Sequence, residues 1–329
     1  MERIRLSIII PFYNVEQYIA QCLDSVYDQD IPEEAYEVIC VNDASPDCSR
    51  DIVVEYQKKH SNLILVEHES NKKLGAARNT GRSVARGKYI WNVDSDDMIV
   101  SNCLKAMLDI CEENDLDVLL FGCNQLVQGT VKNSTQQIWI DESRVCSGLD
   151  FWNNQGLKHI KNISAVWVMM IKREFLDKKS VFSPPINMNE DVPYTYKTML
   201  LSNRMMAINT PYYVYRVNEK ALTGQFRKSP TAIMLYEDGF VCGKALFEVL
   251  KQIPIREKAI RRSIIQTIRY QILDDWKYFS VMNDDECKQY GRLVISRGFS
   301  NLFLFRVLNR KQLFTLYKKC MRLCLIGKE

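Results

Sequence analysis

Residues 88–99 read KYIWNVDSDDMI, and this stretch decides how the chain is understood. An apolar run, Tyr89–Val93, ends in three carboxylates within four residues: Asp94, Asp96 and Asp97. Such a short apolar run between polar flanks reads as a buried strand. Burying carboxylates costs heavily unless a cation or hydrogen-bond donors compensate them. A strand that delivers this cluster at its C-terminal end therefore points to a hard divalent ion. Oxygen ligands suit Mg2+ or Mn2+, which usually share such sites with substrate phosphates. The expectation is an enzyme working on a phosphorylated or nucleotide-linked substrate.

Outward from this stretch, strands alternate with helices. Residues 5–11 (RLSIIIP) read as a strand, followed by a helix with Val15, Tyr18, Ile19, Cys22, Leu23, Val26 and Tyr27 at spacings of three and four. Glu37–Val41 is a second strand that runs into Asn42-Asp43. Helix 48–60, strand Leu63–Val66 and helix 74–86 lead to the strand at 89–93, and helix 101–113 and strand Asp117–Phe121 follow it. The alternation predicts a mostly parallel α/β sheet. Ligands in such sheets bind beyond the carboxyl ends of the strands. Pro11–Asn14, Asp43 and Asp94–Asp97 all fall there.

Residues 124–145 are more polar and read as a loop or hairpin. From 163 to 217 the pattern is mixed: an apolar run SAVWVMMI, a Pro-Pro turn at 184–185, a helix from about 190 to 202, then a strand through Tyr212–Tyr215. From about 229 the pattern is helical. Gly224 and Pro230 punctuate the chain between, which gives a first domain over 1–225 and a helical extension over 226–329.

The 329 residues are 47% hydrophobic and 26% charged, as in a soluble globular protein. Net charge is +4, but residues 297–329 carry eight Lys/Arg and one acid, leaving the rest slightly negative. A basic end on a nearly neutral body implies an anionic partner there, and Leu313, Leu316, Tyr317, Cys320 and Cys324 recur at helical spacing among its basic residues. The two readings are a helix lying on an anionic membrane and a helix packed on the body. No nucleic-acid partner is expected. The eleven cysteines show no CxxC pair, their number is odd, and the N-terminal apolar segment is too short for a signal peptide. These features predict a cytoplasmic protein, with peripheral contact to the inner face of the membrane. The three histidines, His60, His68 and His159, are too scattered to suggest a cluster.

The segments SIIIPFYN, VNDAS, GAARNTGRSVARGKYI, NVDSDD and MNEDVPY occur in an order and at a spacing that resemble family 2 glycosyltransferases of the bacterial polysaccharide-biosynthesis type. The resemblance covers residues 4 to about 217. It implies the GT-A nucleotide-sugar-binding fold, a mostly parallel mixed sheet flanked by helices, and inverting transfer of a hexosyl or N-acetylhexosaminyl group. The implied donor is a nucleotide sugar, foremost a UDP-sugar. The implied acceptor is a saccharide or a lipid-linked saccharide.

The same resemblance distributes roles. Asp94-Ser95-Asp96 is similar to the family's DxD motif, with Asp96 in direct contact with Mn2+ or Mg2+, and Asp94 at the donor's ribose or in the metal shell. Pro11, Tyr13 and Asn14 would line the uracil and ribose pocket, with Phe12 packed beneath. Asp43 would accept a hydrogen bond from the imino N–H of uracil or thymine. Where the family often has Asp-Asp-Gly-Ser, this chain has Asn42-Asp43-Ala44-Ser45, and Ala44 narrows the backbone freedom of the turn. Arg78 would reach the nucleotide, or form a structural salt bridge to Asp94 or Asp97. Asn79 would brace the acidic loop. Asp191 would be the catalytic base, with Glu190 supporting it or binding the acceptor, and Asn189 capping the helix. A helix start would hold Asp191 ionised. Trp167 is read either as flanking the acceptor cleft or as core, and Arg216 as a contact to the diphosphate.

Two rivals remain at this stage. A sugar nucleotidyltransferase needs a Gly-rich phosphate loop after its first strand, where this chain has PFYN. A non-catalytic nucleotide-sugar-binding subunit would lack the metal acid or the base, and both are present.

Overall fold

A computed structural model describes residues 4–133, 144–156, 165–186, 189–217 and 232–273. The chain divides into two compact units, Met1–Val217 and Asn218–Glu329.

Among the described residues the first unit is built on a nine-stranded sheet, in the order β3 (Leu63–Glu67), β2 (Tyr36–Asn42), β1 (Leu6–Phe12), β4 (Tyr89–Asn92), β8 (Met169–Lys172), β6 (Val118–Val127), β9 (Met205–Arg216) and β5 (Met98–Ile99), with β7 (Thr130–Asn133) paired to β6. Strands β1 (Leu6–Phe12), β2 (Tyr36–Asn42), β3 (Leu63–Glu67) and β4 (Tyr89–Asn92) are mutually parallel. Every residue of β1, β2 and β4 is buried, so both faces of this half are covered, with α3 (Leu74–Val84) packed on β1 and β2. That is why these strands read as continuous apolar runs. Helix α1 (Ile19–Tyr27) buries Ile19, Cys22, Leu23 and Val26, and α2 (Ser49–Gln57) follows β2. Helix α3 (Leu74–Val84) crosses β1 and β2 so closely that a side chain at Gly81 would collide with Ile9, and one at Gly75 with the carbonyl oxygen of Pro184. Close packing accounts for both glycines.

The other half of the sheet is mixed. Strands β6 (Val118–Val127) and β8 (Met169–Lys172) are antiparallel, β8 is antiparallel to β4, and β9 (Met205–Arg216) runs parallel to β6. The polar region after 124 begins as a hairpin. Strand β7 (Thr130–Asn133) folds back on β6 through Gln128 and Gly129, both at positive φ, and the remainder to residue 143 lies outside the described residues. Of the apolar run at 164–171, the described residues from Ala165 form a 3-10 turn, Val166–Val168, that leads into β8. A two-residue strand, β5 (Met98–Ile99), pairs with β9 and has no counterpart in the sequence reading.

Helix α4 (Leu104–Glu113) starts later than the expected 101, because Asn102 takes a left-handed φ of 53°. Its free N–H groups donate to Gln29 and Asp30, which follow α1, and not to Asp97 or Ser101. Short helices α5 (Gly148–Phe151) and α6 (Arg173–Lys178) precede α7 (Asp191–Leu201). In the second unit, α8 (Ala232–Gln252) and α9 (Lys258–Leu273) pack together. Arg261 donates to the carbonyls of Leu250 and Ile253 at the end of α8. The boundary punctuation at 220–228 and the basic stretch at 310–329 lie outside the described residues. Among the described residues no helix is long and apolar enough to cross a membrane.

Candidate active site

Proline does not end β1 as a sequence reading would have it. Pro11 still pairs with Val41, and β1 continues to Phe12. Side-by-side alternation explains this: Ile9 and Pro11 turn their backbone groups towards β4, which has ended at Asn92. The missing N–H of Pro11 therefore costs no ladder bond. Phe12 is buried, whereas Tyr13 is 48% exposed at the mouth of the sheet. Asn14 stands at φ 57°, and its N–H donates to the Ser45 hydroxyl.

Asn42, not Asp43, forms the turn after β2: its side-chain oxygen accepts from the Ser45 N–H at 2.8 Å. Ala44 sits at φ 58°, the left-handed conformation that favours glycine. Asp43 is buried and faces the segment before α3. One oxygen, Oδ1, accepts from His68 Nδ1 at 2.6 Å and from the Lys72 N–H at 2.8 Å, while Oδ2 accepts from the Lys73 N–H at 2.9 Å. Lys73 itself is at φ 77° and ψ 158°, a strained conformation for a residue with a side chain.

The acidic turn is pinned on both sides. Its entry strand β4 pairs with β1, and its exit strand β5 pairs with β9. From β9, the Tyr213 hydroxyl donates to Asp97 Oδ2 at 2.8 Å and accepts from the Asp94 N–H at 3.1 Å. The Arg216 N–H donates to Asp97 Oδ1, and its guanidinium Nε donates to the Asp96 carbonyl at 2.8 Å. Asp97 is thus the buried anchor of the turn, and burial pushes its carboxyl well above the ordinary range. Arg216, expected at the diphosphate, is committed to this turn, to Gln21 and to the Tyr18 ring. Ser95 is buried within the turn.

Asp96 is different. Among the described residues no donor from another residue engages its carboxylate, and burial together with the Asp94 charge pushes it up to about 6. An unpaired carboxylate beside a second one is a donor set that a hard divalent cation fits. No cluster of three or more potential ligands forms among the described residues. That is compatible with Mg2+ or Mn2+, which bind through one or two carboxylates plus substrate phosphates.

Arg78 is buried on α3 and spans two acid groups. Its Nη2 donates to Asp94 Oδ1 at 2.7 Å and its Nη1 to Glu190 Oε1 at 2.5 Å. The ion-pair reading of Arg78 is therefore realised, through Asp94 and Glu190 and not Asp97. Asn79 does not brace the acidic loop. Its amide exchanges two hydrogen bonds with the backbone of Ser183, tying α3 to the segment that leads towards α7.

Glu190 is the cap position of α7, one residue after the expected Asn189, which stands at φ 62°. Pro193 lies in the first turn, where its missing N–H has no partner to lose. Asp191 opens the helix. The helix start does not dominate its titration: burial first, then the Glu190 charge, raise its carboxyl well above the usual range, with Arg78 opposing. Trp167 stacks on Tyr213 (centroids 4.5 Å apart) and Tyr215 (5.6 Å), and its carbonyl accepts from the Trp91 indole N–H. It is half-buried in an aromatic stack next to the acidic turn.

The structure thus gathers Asp94, Arg78 and Glu190-Asp191 at one place, with Asp96 and Trp167 adjoining. Asp43, Tyr13 and Asn14 stand at the neighbouring strand ends. Sequence reasoning missed Tyr213 and His68. For His68 the available signal was its position just past the third strand. For Tyr213 no local signal exists, because its role comes from strand register.

The sequence profile of Glycosyl transferase family 2 matches residues 7–177, just over half of the chain. The chain belongs to glycosyl transferase family 2. It is 31% identical over 222 residues to the uncharacterized glycosyltransferase EpsJ of Bacillus subtilis (strain 168), covering 66% of this chain and 62% of that protein. It is 29% identical over 218 residues to the poly(ribitol-phosphate) beta-N-acetylglucosaminyltransferase TarS of Staphylococcus aureus (strain Mu50 / ATCC 700699), covering 64% of this chain and 35% of that one. The chain therefore spans less than two thirds of the length of these relatives. The crystal structure of S. aureus TarS 1-349 in complex with UDP-GlcNAc superposes with a TM-score of 0.67 at 21% identity, covering 97% of this chain and 89% of that one. That likeness establishes the GT-A fold.

Proposed function

We propose that this chain is an inverting, metal-dependent glycosyltransferase that moves a sugar from a UDP-sugar to a saccharide or lipid-linked saccharide acceptor of the cell envelope. The observation that carries this reading is the bridge through Arg78. It joins the acid that would face the donor, Asp94, to the acid pair that would face the acceptor, Glu190-Asp191. Relatives named as poly(ribitol-phosphate) glycosyltransferases, and a fold neighbour captured with UDP-GlcNAc, support a nucleotide-sugar donor.

On this reading Tyr13 stacks on the base, and Asp43 accepts a hydrogen bond from its imino N–H. Asp96 and Asp94 would hold Mn2+ or Mg2+, which when bound offsets charge on the departing diphosphate. Asp191 removes the proton from the acceptor hydroxyl as that oxygen attacks the anomeric carbon. The bond from that carbon to the diphosphate oxygen breaks, and the nucleoside diphosphate leaves with the electron pair. A carboxylate whose pKa is raised by burial is a stronger base than an ordinary aspartate. Glu190, ion-paired to Arg78, lies beside the base, and its charge adds to the rise in the proton affinity of Asp191. Trp167 supplies an apolar wall beside the turn. The basic stretch 297–329 would hold the enzyme on an anionic membrane surface.

Purified full-length chain, incubated with a panel of nucleotide sugars and Mn2+, tests this. Release of UDP from a UDP-sugar that requires the metal is expected. Absence of turnover and of binding across the panel overturns the reading.

A further inference from the structure

Asp43 holds three of the roughly four hydrogen bonds a carboxylate can accept. Two fall on Oδ1 and one on Oδ2, so a single acceptor direction remains, on Oδ2. Two of the three donors are backbone N–H groups of adjacent residues, Lys72 and Lys73. The third is His68, and it alone is a side chain. Its ring is clamped end to end: Nδ1 lies 2.6 Å from Asp43 Oδ1, and Nε2 lies 2.9 Å from Thr80 Oγ1. With the carboxylate as acceptor, Nδ1 carries the proton and Nε2 accepts from the Thr80 hydroxyl, a tautomer assigned from its partners. The backbone joins in, since the His68 N–H donates to the Asn42 carbonyl at 2.9 Å. The ring is buried, so it does not reach a ligand itself.

We infer that His68 is a positioning residue for base selection, one that fixes the rotation of Asp43 so that its one remaining acceptor direction meets an imino N–H. This rests on the base-pocket role of Asp43 proposed above. The chemistry that follows is specific. A fixed acceptor with no donor of its own favours a pyrimidine whose N3 carries a proton, as in uracil, over cytosine, whose N3 does not. Thr80, two residues after Arg78 on α3, holds the ring from its far side, so the selectivity of the pocket is tied to the helix that also carries Arg78. Losing the His68 donor frees the carboxylate to turn and leaves its Oδ1 short of one charge-assisted bond.

The test compares UDP and CDP binding by calorimetry in the full chain for four proteins. His68→Phe keeps the ring volume and removes the donor. His68→Asn places an amide N–H where Nδ1 was. Asp43→Asn tests the pocket itself. In the unaltered chain UDP is expected to bind more tightly than CDP. His68→Phe is expected to weaken UDP binding about tenfold, the scale of one lost charge-assisted hydrogen bond, and to shrink the UDP/CDP ratio. His68→Asn is expected to restore most of that ratio. A purely structural role would lower thermal stability in both variants without rescue of the ratio by Asn. If Asp43→Asn abolishes discrimination while His68→Phe retains it, the base pocket stands and the positioning role is overturned. If Asp43→Asn leaves discrimination intact, the pocket reading fails and this inference with it.

Discussion

Arg78 and Glu190, 112 residues apart, meet in a buried ion pair of 2.5 Å. The same guanidinium reaches Asp94 at 2.7 Å, so one cation pairs with an acid of the turn and an acid at the start of α7 together. Its Nε is buried without a partner among the described residues, which leaves the two ion pairs to offset its desolvation. Removing one member of such a buried arrangement leaves uncompensated charge. Arg78→Met should therefore cost about 3 kcal/mol of unfolding free energy, measured from urea transitions. Arg78→Lys should recover only part, because an ammonium cannot span two carboxylates in fixed directions. An unchanged transition midpoint in Arg78→Met would remove the bridge from the account.

Asp191→Asn keeps the size of the side chain but cannot take a proton. Transfer should fall roughly 10²–10⁴-fold, with little change in donor affinity. The raised carboxyl also sets the sign of the pH profile. The base works only when ionised, so the acid limb of kcat/KM should lie above about 3.9, the value of an ordinary aspartate. Near-normal transfer by Asp191→Asn rules it out as the base.

Ala44 offers a test at the level of the backbone. Its φ of 58° is unfavourable for a residue with a Cβ. Ala44→Gly relieves that strain, partly offset by the greater freedom of glycine in the unfolded chain, so the net gain should be up to about 1 kcal/mol. Thermal unfolding reads it. A destabilised Ala44→Gly would contradict the positive-φ turn.

What could be read in the sequence follows from how each feature is encoded. Strands β1, β2 and β4 were legible because burial on both faces leaves an apolar run, and the acids beyond them stand out against it. Arg78 and Glu190 were each legible as candidates, but their pairing was not, since no local pattern links positions so far apart. Tyr213 and Arg216 act through the register of β9 against the two residues of β5, which is too short to leave a periodic trace. The bonds of Asn79 to Ser183 depend on how closely α3 approaches the 183–186 segment, which Gly75 permits but does not announce. His68 was set aside as isolated, and it is isolated in sequence; only the parallel pairing of β2 with β3 brings it to Asp43.

The basic end makes a prediction that rests on charge alone. Residues 297–329 carry a net charge of +7. Each basic residue near an anionic bilayer contributes on the order of 1 kcal/mol, screened by salt. The full chain should sediment with anionic vesicles at low ionic strength, lose that binding as salt rises, and lose most of it when 310–329 are removed. Equal sedimentation with and without those residues would leave the stretch as an ordinary basic surface.

The central claim is that Asp96 and its neighbours form a metal-assisted site for a uridine diphosphate. Calorimetric titration of UDP into the unaltered chain and into Asp96→Ala, each with and without Mn2+, tests it most directly. The Asp96 carboxylate has no partner from another residue among those described, so its loss should leave the fold intact. The account predicts that Mn2+ strengthens UDP binding in the unaltered chain and has no effect in Asp96→Ala. The same Mn2+ dependence in both proteins, or no UDP binding in either, would contradict it.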